Sequence, residues 1–272
     1  MLVNAIECRS AMQKTGIPGF DYCLNPYRGC SHSCVYCYAD FTRRFSGHTG
    51  PWGTYVDAKA NVAAALAKQL HGRKPPRGRL IIGTVTDPYQ PLEKDLRLTR
   101  SCLELLVEQP GIEINLLTKS DLVTRDIDLL SRGRGCSIGF TITSMNDAAI
   151  RVLEPGAAPP GARLKAAREL KKAGLDAWVF IAPLLPGIGD SDYALARLLR
   201  GISQAGIEEV LIDYLNPYPT AVSRMCEAYR KSFPDALPQL ERYLADPGGY
   251  RAVFSARWKS LSSEFGIDLN PV

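Results

Sequence analysis

The stretch Gly29-Cys30-Ser31-His32-Ser33-Cys34-Val35-Tyr36-Cys37-Tyr38 sets three cysteines in a C-x3-C-x2-C run, with an aromatic residue directly before the last of them. Three thiolates on so short a loop can hold three irons of a 4Fe–4S cube and leave the fourth iron without a protein ligand. Closed electron-transfer clusters use four cysteines, and none follows Cys37 within the usual few residues. An open iron points to catalysis. The competing reading is structural zinc, with His32, Cys23 or His48 as fourth ligand; zinc motifs usually come as two separated pairs, and there is no second C-x2-C here.

The other cysteines argue against a disulfide framework. Eight in 272 residues is a modest density, and Met1-Leu2-Val3-Asn4-Ala5-Ile6-Glu7 carries an acid and no basic-then-apolar pattern, so the chain is expected to be cytoplasmic. Cys8, Cys23, Cys102, Cys136 and Cys226 stand alone and read as small buried hydrophobes. With 46% hydrophobic residues and no apolar run near the ~18 residues of a membrane span, the sequence predicts one globular domain that does not engage a membrane. The formal charge of +5 is mild. Basic clusters at Arg43-Arg44, around Arg73 to Arg79, and at Arg132 and Arg134 could follow a phosphate backbone or simply be solvated surface.

Periodicity supplies the architecture. Val62, Leu66 and Leu70 repeat at helical spacing before the apolar run Leu80-Ile81-Ile82. A helix over 95–108 precedes a strand over 112–117, and a helix over 121–130 precedes a strand over 138–141. The helix carrying Leu164, Ala167 and Leu170 stops at Gly174 before Trp178-Val179-Phe180-Ile181, and Leu195, Leu198, Leu199 and Ile202 precede Val210-Leu211-Ile212. Such alternation implies parallel strands covered by helices. With a first strand just before Cys30, six units suit a partial (β/α)6 TIM-type barrel, short of the eight of a closed one. The core is expected over about 22–216. Helices over 220–232, 238–245 and 250–265 make a helical C-terminal extension, 217–272, of the same α/β domain.

In such folds the chemistry lies where strands end. The exits are polar: Gly83-Thr84-Val85-Thr86-Asp87, Thr118-Lys119-Ser120, Thr141-Ile142-Thr143-Ser144, Ala182-Pro183-Leu184 and Asp213-Tyr214-Leu215-Asn216. Turn formation and helix capping account for Asp87-Pro88 and Asp121. Lys119, directly after a strand, places a cation at the barrel mouth that suits a carboxylate of substrate or cofactor.

The cysteine triplet resembles the signature of the radical S-adenosylmethionine (SAM) enzymes. Asn25-Pro26-Tyr27-Arg28-Gly29-Cys30, Cys37-Tyr38, Thr86-Asp87, Thr118-Lys119, Phe140 to Ser144 and Leu153-Glu154-Pro155-Gly156 resemble the spore photoproduct lyase branch, especially its shorter relatives in non-sporulating organisms. The likeness covers roughly 22–190. It implies that Cys30, Cys34 and Cys37 ligate a 4Fe–4S cluster whose open iron chelates SAM, and that reductive cleavage gives a 5′-deoxyadenosyl radical. Tyr36 would lie against the adenine, Lys119 meet the SAM carboxylate, and Thr86 and Thr141 offer hydroxyls, with Asp87 and Thr143 in the same cofactor-binding set. Tyr38 matches a tyrosine that relays a hydrogen atom. Thr84 stands where the lyases carry a hydrogen-donating cysteine, so Cys102, Cys136, Tyr38 or an external reductant would have to substitute. The helices after Thr220 do not resemble the tail with which those lyases grip the lesion.

The resemblance implies DNA repair chemistry of lyase type on a nucleic-acid base, with DNA as partner and flavodoxin or ferredoxin as electron donor. A radical SAM enzyme acting on a small molecule or peptide remains open, because the fold holds the cofactor while loops choose the substrate. So does a non-catalytic cluster or zinc protein.

Overall fold

The chain, described over residues 1–271 by a computed structural model, begins with β1 (Leu2–Ile6), β2 (Met12–Lys14), β3 (Tyr22–Leu24) and β4 (Tyr27–Arg28). It runs through the cysteine loop and a 3-10 helix (Tyr38–Phe45) to β5 (Tyr55–Lys59) and α1 (Val62–Leu70). Strand and helix then alternate: β6 (Gly78–Ile82), α2 (Glu93–Leu96), α3 (Leu98–Leu106), β7 (Ile112–Thr118), α4 (Ile127–Leu130), β8 (Ser137–Thr141), α5 (Asp147–Leu153), α6 (Pro160–Lys172), β9 (Asp176–Leu184), α7 (Asp192–Gln204) and β10 (Glu209–Tyr214). Helices α8 (Pro219–Ser232), α9 (Leu237–Ala245) and α10 (Pro247–Glu264) lead to β11 (Asp268–Pro271).

The main sheet has the order β11-β10-β9-β8-β7-β6-β3-β2. Every pair from β3 to β11 is parallel, and only β2 runs antiparallel to its neighbour. Six β/α units are therefore present, from β3 to β10, and β2 and β11 are free edges of an open sheet. Leu80, Ile82, Leu116, Ile138, Phe140, Val179, Ile181, Val210 and Ile212 are fully buried within it. Helix faces at Val62, Leu66 and Leu70, and at Leu195, Leu198, Leu199 and Ile202, cover the outside as their spacing predicts.

Local chemistry explains the departures. The expected helix over 95–108 is two helices, broken at Arg97 with φ +51°. The buried Glu93 carboxylate accepts from the backbone N–H of Thr99 at 3.0 Å and of Arg100 at 3.2 Å, capping α3 from the turn before it. The segment expected to be helical over 121–130 opens as a 3-10 helix (Asp121–Asp126), and Ser120, not Asp121, accepts from the N–H of Leu122. Two features lie outside the sequence reading. A three-stranded sheet of order β1-β5-β4 flanks the cysteine loop, and the C-terminal extension returns to the main sheet as β11 beside β10. Among the described residues no helix is long and apolar enough to cross a membrane.

Candidate active site

A cavity of about 470 Å³ opens at the carboxyl ends of the parallel strands. Its walls come from the cysteine loop and five successive strand exits: Gly83 to Asp87 after β6, Leu117 to Lys119 at β7, Thr141 at β8, Phe180, Ala182 and Pro183 in β9, and Asp213 to Asn216 at β10. Cys30, Cys34, Cys37, Tyr36 and Tyr38 line the same space, so residues spread over nearly two hundred positions meet as the fold geometry predicts.

The three thiols line one cavity and feel one another's charge. Burial pushes each up to about 12, and a charge on one would raise its neighbour further: Cys37 acts on Cys30, Cys30 on Cys34, and Cys34 on Cys37. Among the described residues no three His, Cys, Asp or Glu side chains gather tightly enough to hold a single metal ion. Three thiols on one cavity wall are the donor set that a 4Fe–4S cluster with one open iron would take. Of the alternative zinc ligands, His48 Nε2 is engaged with Asp57 at 2.8 Å and its ring stacks on Tyr55. Cys23 is outside the cavity lining, and His32 Nδ1 faces Asp87 at 3.3 Å, close enough for an ion pair yet outside hydrogen-bond geometry.

The cysteine loop is clamped from three sides. Asn25, Gly29 and Gln90 tie it to the exit of β6. The Asn25 amide bonds Thr84 through Nδ2 to Oγ1 at 2.9 Å and Oδ1 accepts from the Thr84 N–H at 3.0 Å, while Thr86 Oγ1 donates to the Gly29 carbonyl at 2.5 Å and Gln90 Oε1 accepts from the Ser31 N–H at 2.9 Å. Leu153-Glu154-Pro155-Gly156 presses from beneath: the Val35 N–H donates to the Leu153 carbonyl at 2.8 Å and the Gly156 N–H to the His32 carbonyl at 3.0 Å. A Cβ at Gly156 would come 2.2 Å from the Ser31 carbonyl oxygen, so only glycine lets the two backbones approach. From α8, Arg224 donates to the carbonyls of Val35 and Cys37, each at 3.0 Å, and to Asp40 Oδ2 at 2.8 Å. Sequence reasoning missed Arg224, because nothing local marks one arginine on an amphipathic helix.

Below Tyr36 lies a buried polar network. Glu154 accepts from the Tyr36 hydroxyl, from Thr143 Oγ1 at 2.8 Å and from the Arg163 guanidinium. Arg163 also donates to the Thr141 carbonyl at 2.8 Å. Burial pushes Glu154 up, but Arg163, Lys119 and these hydrogen bonds outweigh it and hold the carboxyl below its ordinary range. The network corrects one expectation: Thr143 is fully buried, serves Glu154 and does not line the cavity. Thr86, Asp87, Lys119 and Thr141 do line it. The Thr86 hydroxyl proton is committed to Gly29, and the Asp87 carboxylate is committed to the Tyr89 N–H, Thr118 Oγ1 and the Lys119 N–H at 2.9, 2.7 and 2.7 Å. Asp87 thus acts as a knot between the exits of β6 and β7. Lys119 lays Nζ 5.8 Å from the Tyr36 ring centroid, with its side chain on the cavity.

Tyr38 and Thr84 meet. The Tyr38 hydroxyl donates to the Thr84 carbonyl at 2.8 Å. Burial, then the nearby Cys37 and Asp213 charges, pushes Tyr38 up to about 12, so the phenol keeps its proton at neutral pH. The Thr84 side chain turns toward Asn25 and the Cys23 thiol. Cys102 is fully buried in α3 and Cys136 precedes β8 at the opposite end of the sheet; neither lines the cavity, so neither can stand in for a thiol there.

These features agree with what the chain is similar to. The pattern of the Radical SAM superfamily matches residues 24–199. An uncharacterized protein of Mycobacterium tuberculosis is 33% identical over 288 residues, covering 97% of this chain and 81% of the relative. Among solved structures, spore photoproduct lyase complexed with dinucleoside spore photoproduct superposes with a TM-score of 0.63 at 20% identity, over 85% of this chain and 67% of the lyase. SuiB of Streptococcus suis, bound to the precursor peptide SuiA, does so with 0.55 at 14% identity, over 93% of this chain and 49% of SuiB. At those identities the shared property is the fold. With the family pattern over the cysteine loop and the strand exits that face it, the chain belongs to the radical SAM superfamily, enzymes that hold a 4Fe–4S cluster and S-adenosylmethionine.

Proposed function

We propose that this radical SAM enzyme acts on a base in nucleic acid, with lyase-type chemistry related to DNA repair, in the cytoplasm, and that it takes its electron from a flavodoxin or ferredoxin. The observation that carries the reading is the 2.8 Å contact between the Tyr38 hydroxyl and the Thr84 carbonyl inside the cavity. It joins the two positions that the lyase resemblance links to hydrogen-atom return. When bound, the cluster and SAM supply a carbon radical able to take a hydrogen atom from an unactivated C–H bond. The chain's own residues do the rest. Cys30, Cys34 and Cys37 would hold the cluster, and Lys119, beside the Tyr36 ring, would meet the SAM carboxylate. Thr86, Asp87 and Thr141 shape the wall, and the protonated Tyr38 holds an O–H at the substrate side.

The test uses anaerobically reconstituted enzyme with dithionite and SAM. Release of 5′-deoxyadenosine is expected to rise several-fold when oligonucleotide carrying a modified or damaged thymine is added. Stimulation by peptides or small metabolites, with none by any oligonucleotide, would overturn the substrate class and leave the superfamily assignment standing.

A further inference from the structure

The 3-10 helix that follows the last cysteine carries an unusual surface. The Tyr38 ring, on the cavity wall, stacks on Phe41 with centroids 6.3 Å apart and planes 17° apart. Phe41 meets Tyr218 edge-on at 6.5 Å. The Arg44 guanidinium lies 5.5 Å from the Phe41 centroid and 4.6 Å from that of Phe45. Phe45 itself is 62% exposed and Tyr38 41%. Single exposed aromatics are ordinary, but a connected row that starts inside a catalytic cavity and ends in solvent is a path.

Its charge is one-sided. Asp40, the one acid on this helix, is turned inward and neutralised by Arg224 Nη1 at 2.8 Å and Thr220 Oγ1 at 2.7 Å. Arg43 reaches back toward Asp40 at 3.5 Å, and exposed Arg44, among the described residues, rests only on rings. The outer end of the row therefore presents π-faces and an unneutralised guanidinium. Aromatic faces take bases by stacking without regard to sequence, and an arginine among them takes the phosphate.

We infer that the row from Tyr38 through Phe41 and Arg44 to Phe45 is a ledge for single-stranded nucleic acid, stacking the nucleotides that flank the base delivered to the cavity. The inference rests on the nucleic-acid reading above and adds the surface and the strand form. An acidic electron carrier would also be drawn to Arg44. The row, however, begins at a ring that lines the cavity, so its natural occupant is a ligand that enters the cavity too. Reaching a base this way also requires it to be out of its stack, which a single strand allows at least cost.

The experiment measures anisotropy of a fluorescein-labelled single-stranded oligothymidylate with full-length, cluster-reconstituted protein and SAM, across a salt series. Phe45→Ala and Arg44→Ala are each expected to weaken binding about tenfold or more. Arg44→Ala is expected to flatten the salt dependence by about one unit of slope, whereas Phe45→Ala leaves the slope unchanged and Phe45→Trp restores affinity. Thermal melts show that each variant is folded. Wild-type binding that neither substitution weakens would overturn the ledge and leave the nucleic-acid reading intact. No binding of single strand or duplex by the wild type would overturn both. Loss of reduction by flavodoxin with oligonucleotide binding intact would reassign the ledge to the electron carrier.

Discussion

Asp87 keeps its charge in a nearly dry wall. Burial pushes its carboxyl up, but the facing His32 together with hydrogen bonds from Thr118 and the Lys119 N–H outweighs it and holds the group at about 2. In an unfolded chain the same carboxyl titrates near 3.8. Between those two values the unfolded state binds more protons, so stability rises with pH through the window. The contribution is complete above about pH 5 and lost as pH falls through 2. A shift of that size corresponds to about 2 kcal/mol. Urea unfolding of the wild type between pH 2 and 5 is expected to show that loss, and Asp87→Asn to lack this part of the pH dependence while being less stable at neutral pH. A second residue, Lys119, is proposed to meet the cofactor. Lys119→Ala removes a charge-assisted contact of about 1.5–3 kcal/mol, so SAM affinity measured by calorimetry is expected to fall at least tenfold while the cluster absorbance stays. Unchanged affinity would return Lys119 to the solvated surface.

At the scale of elements, the cysteine loop has no regular structure of its own and borrows rigidity from its neighbours. Arg224 of α8 bonds two of its carbonyls and Asp40 at once. Replacing it with alanine leaves the buried Asp40 to Thr220 and the more distant Arg43 and loosens the backbone at Cys37, at a cost of about 2 kcal/mol. The expected readout is faster iron loss to a chelator and a lower urea midpoint, and iron retention equal to wild type would show that α8 is only a cover. Gly156→Ala tests the opposite face and is expected to displace the loop, because the added methyl meets the Ser31 carbonyl oxygen at 2.2 Å. These two clamps mark the boundary of what the sequence reveals. The six β/α units are legible because buried parallel strands and amphipathic helices each carry their own period. The cysteine triplet and the polar strand exits are legible because they are local. Arg224 is not, since its partners lie 187 and 189 positions away. The β1-β5-β4 sheet escapes notice because β1 is largely exposed and β4 is two residues long. The break between α2 and α3 depends on a Glu93 side chain that no helical period records.

For the whole molecule, the open sheet gathers a cavity in which Cys30, Cys34 and Cys37 supply the thiols of the lining among the described residues. That fact bears on the lyase resemblance. A repair cycle that begins by taking a hydrogen atom from the lesion must end by returning one to the product radical, and an S–H bond gives up its hydrogen far more readily than an aliphatic O–H bond. On that resemblance Thr84 stands in the thiol's place, and its hydroxyl is turned to Asn25 and Cys23. Cys23 lies outside the cavity lining, and Cys102 and Cys136 are elsewhere in the fold. The phenol of Tyr38, protonated and on the cavity wall, is the O–H that the lyase resemblance would recruit. With dithionite, the enzyme is expected to cleave SAM to 5′-deoxyadenosine and methionine. On the spore photoproduct it is expected to turn over slowly and to divert part of the product radical to adducts with the reductant. Chromatography of the products resolves the two fates. Tyr38→Phe should shift the ratio further toward adducts while SAM is still cleaved, whereas Cys102→Ala and Cys136→Ala should leave the ratio unchanged. Fast, clean repair with SAM regenerated each turn, undiminished in Tyr38→Phe, would show that hydrogen return on this scaffold uses neither the phenol nor a thiol at position 84.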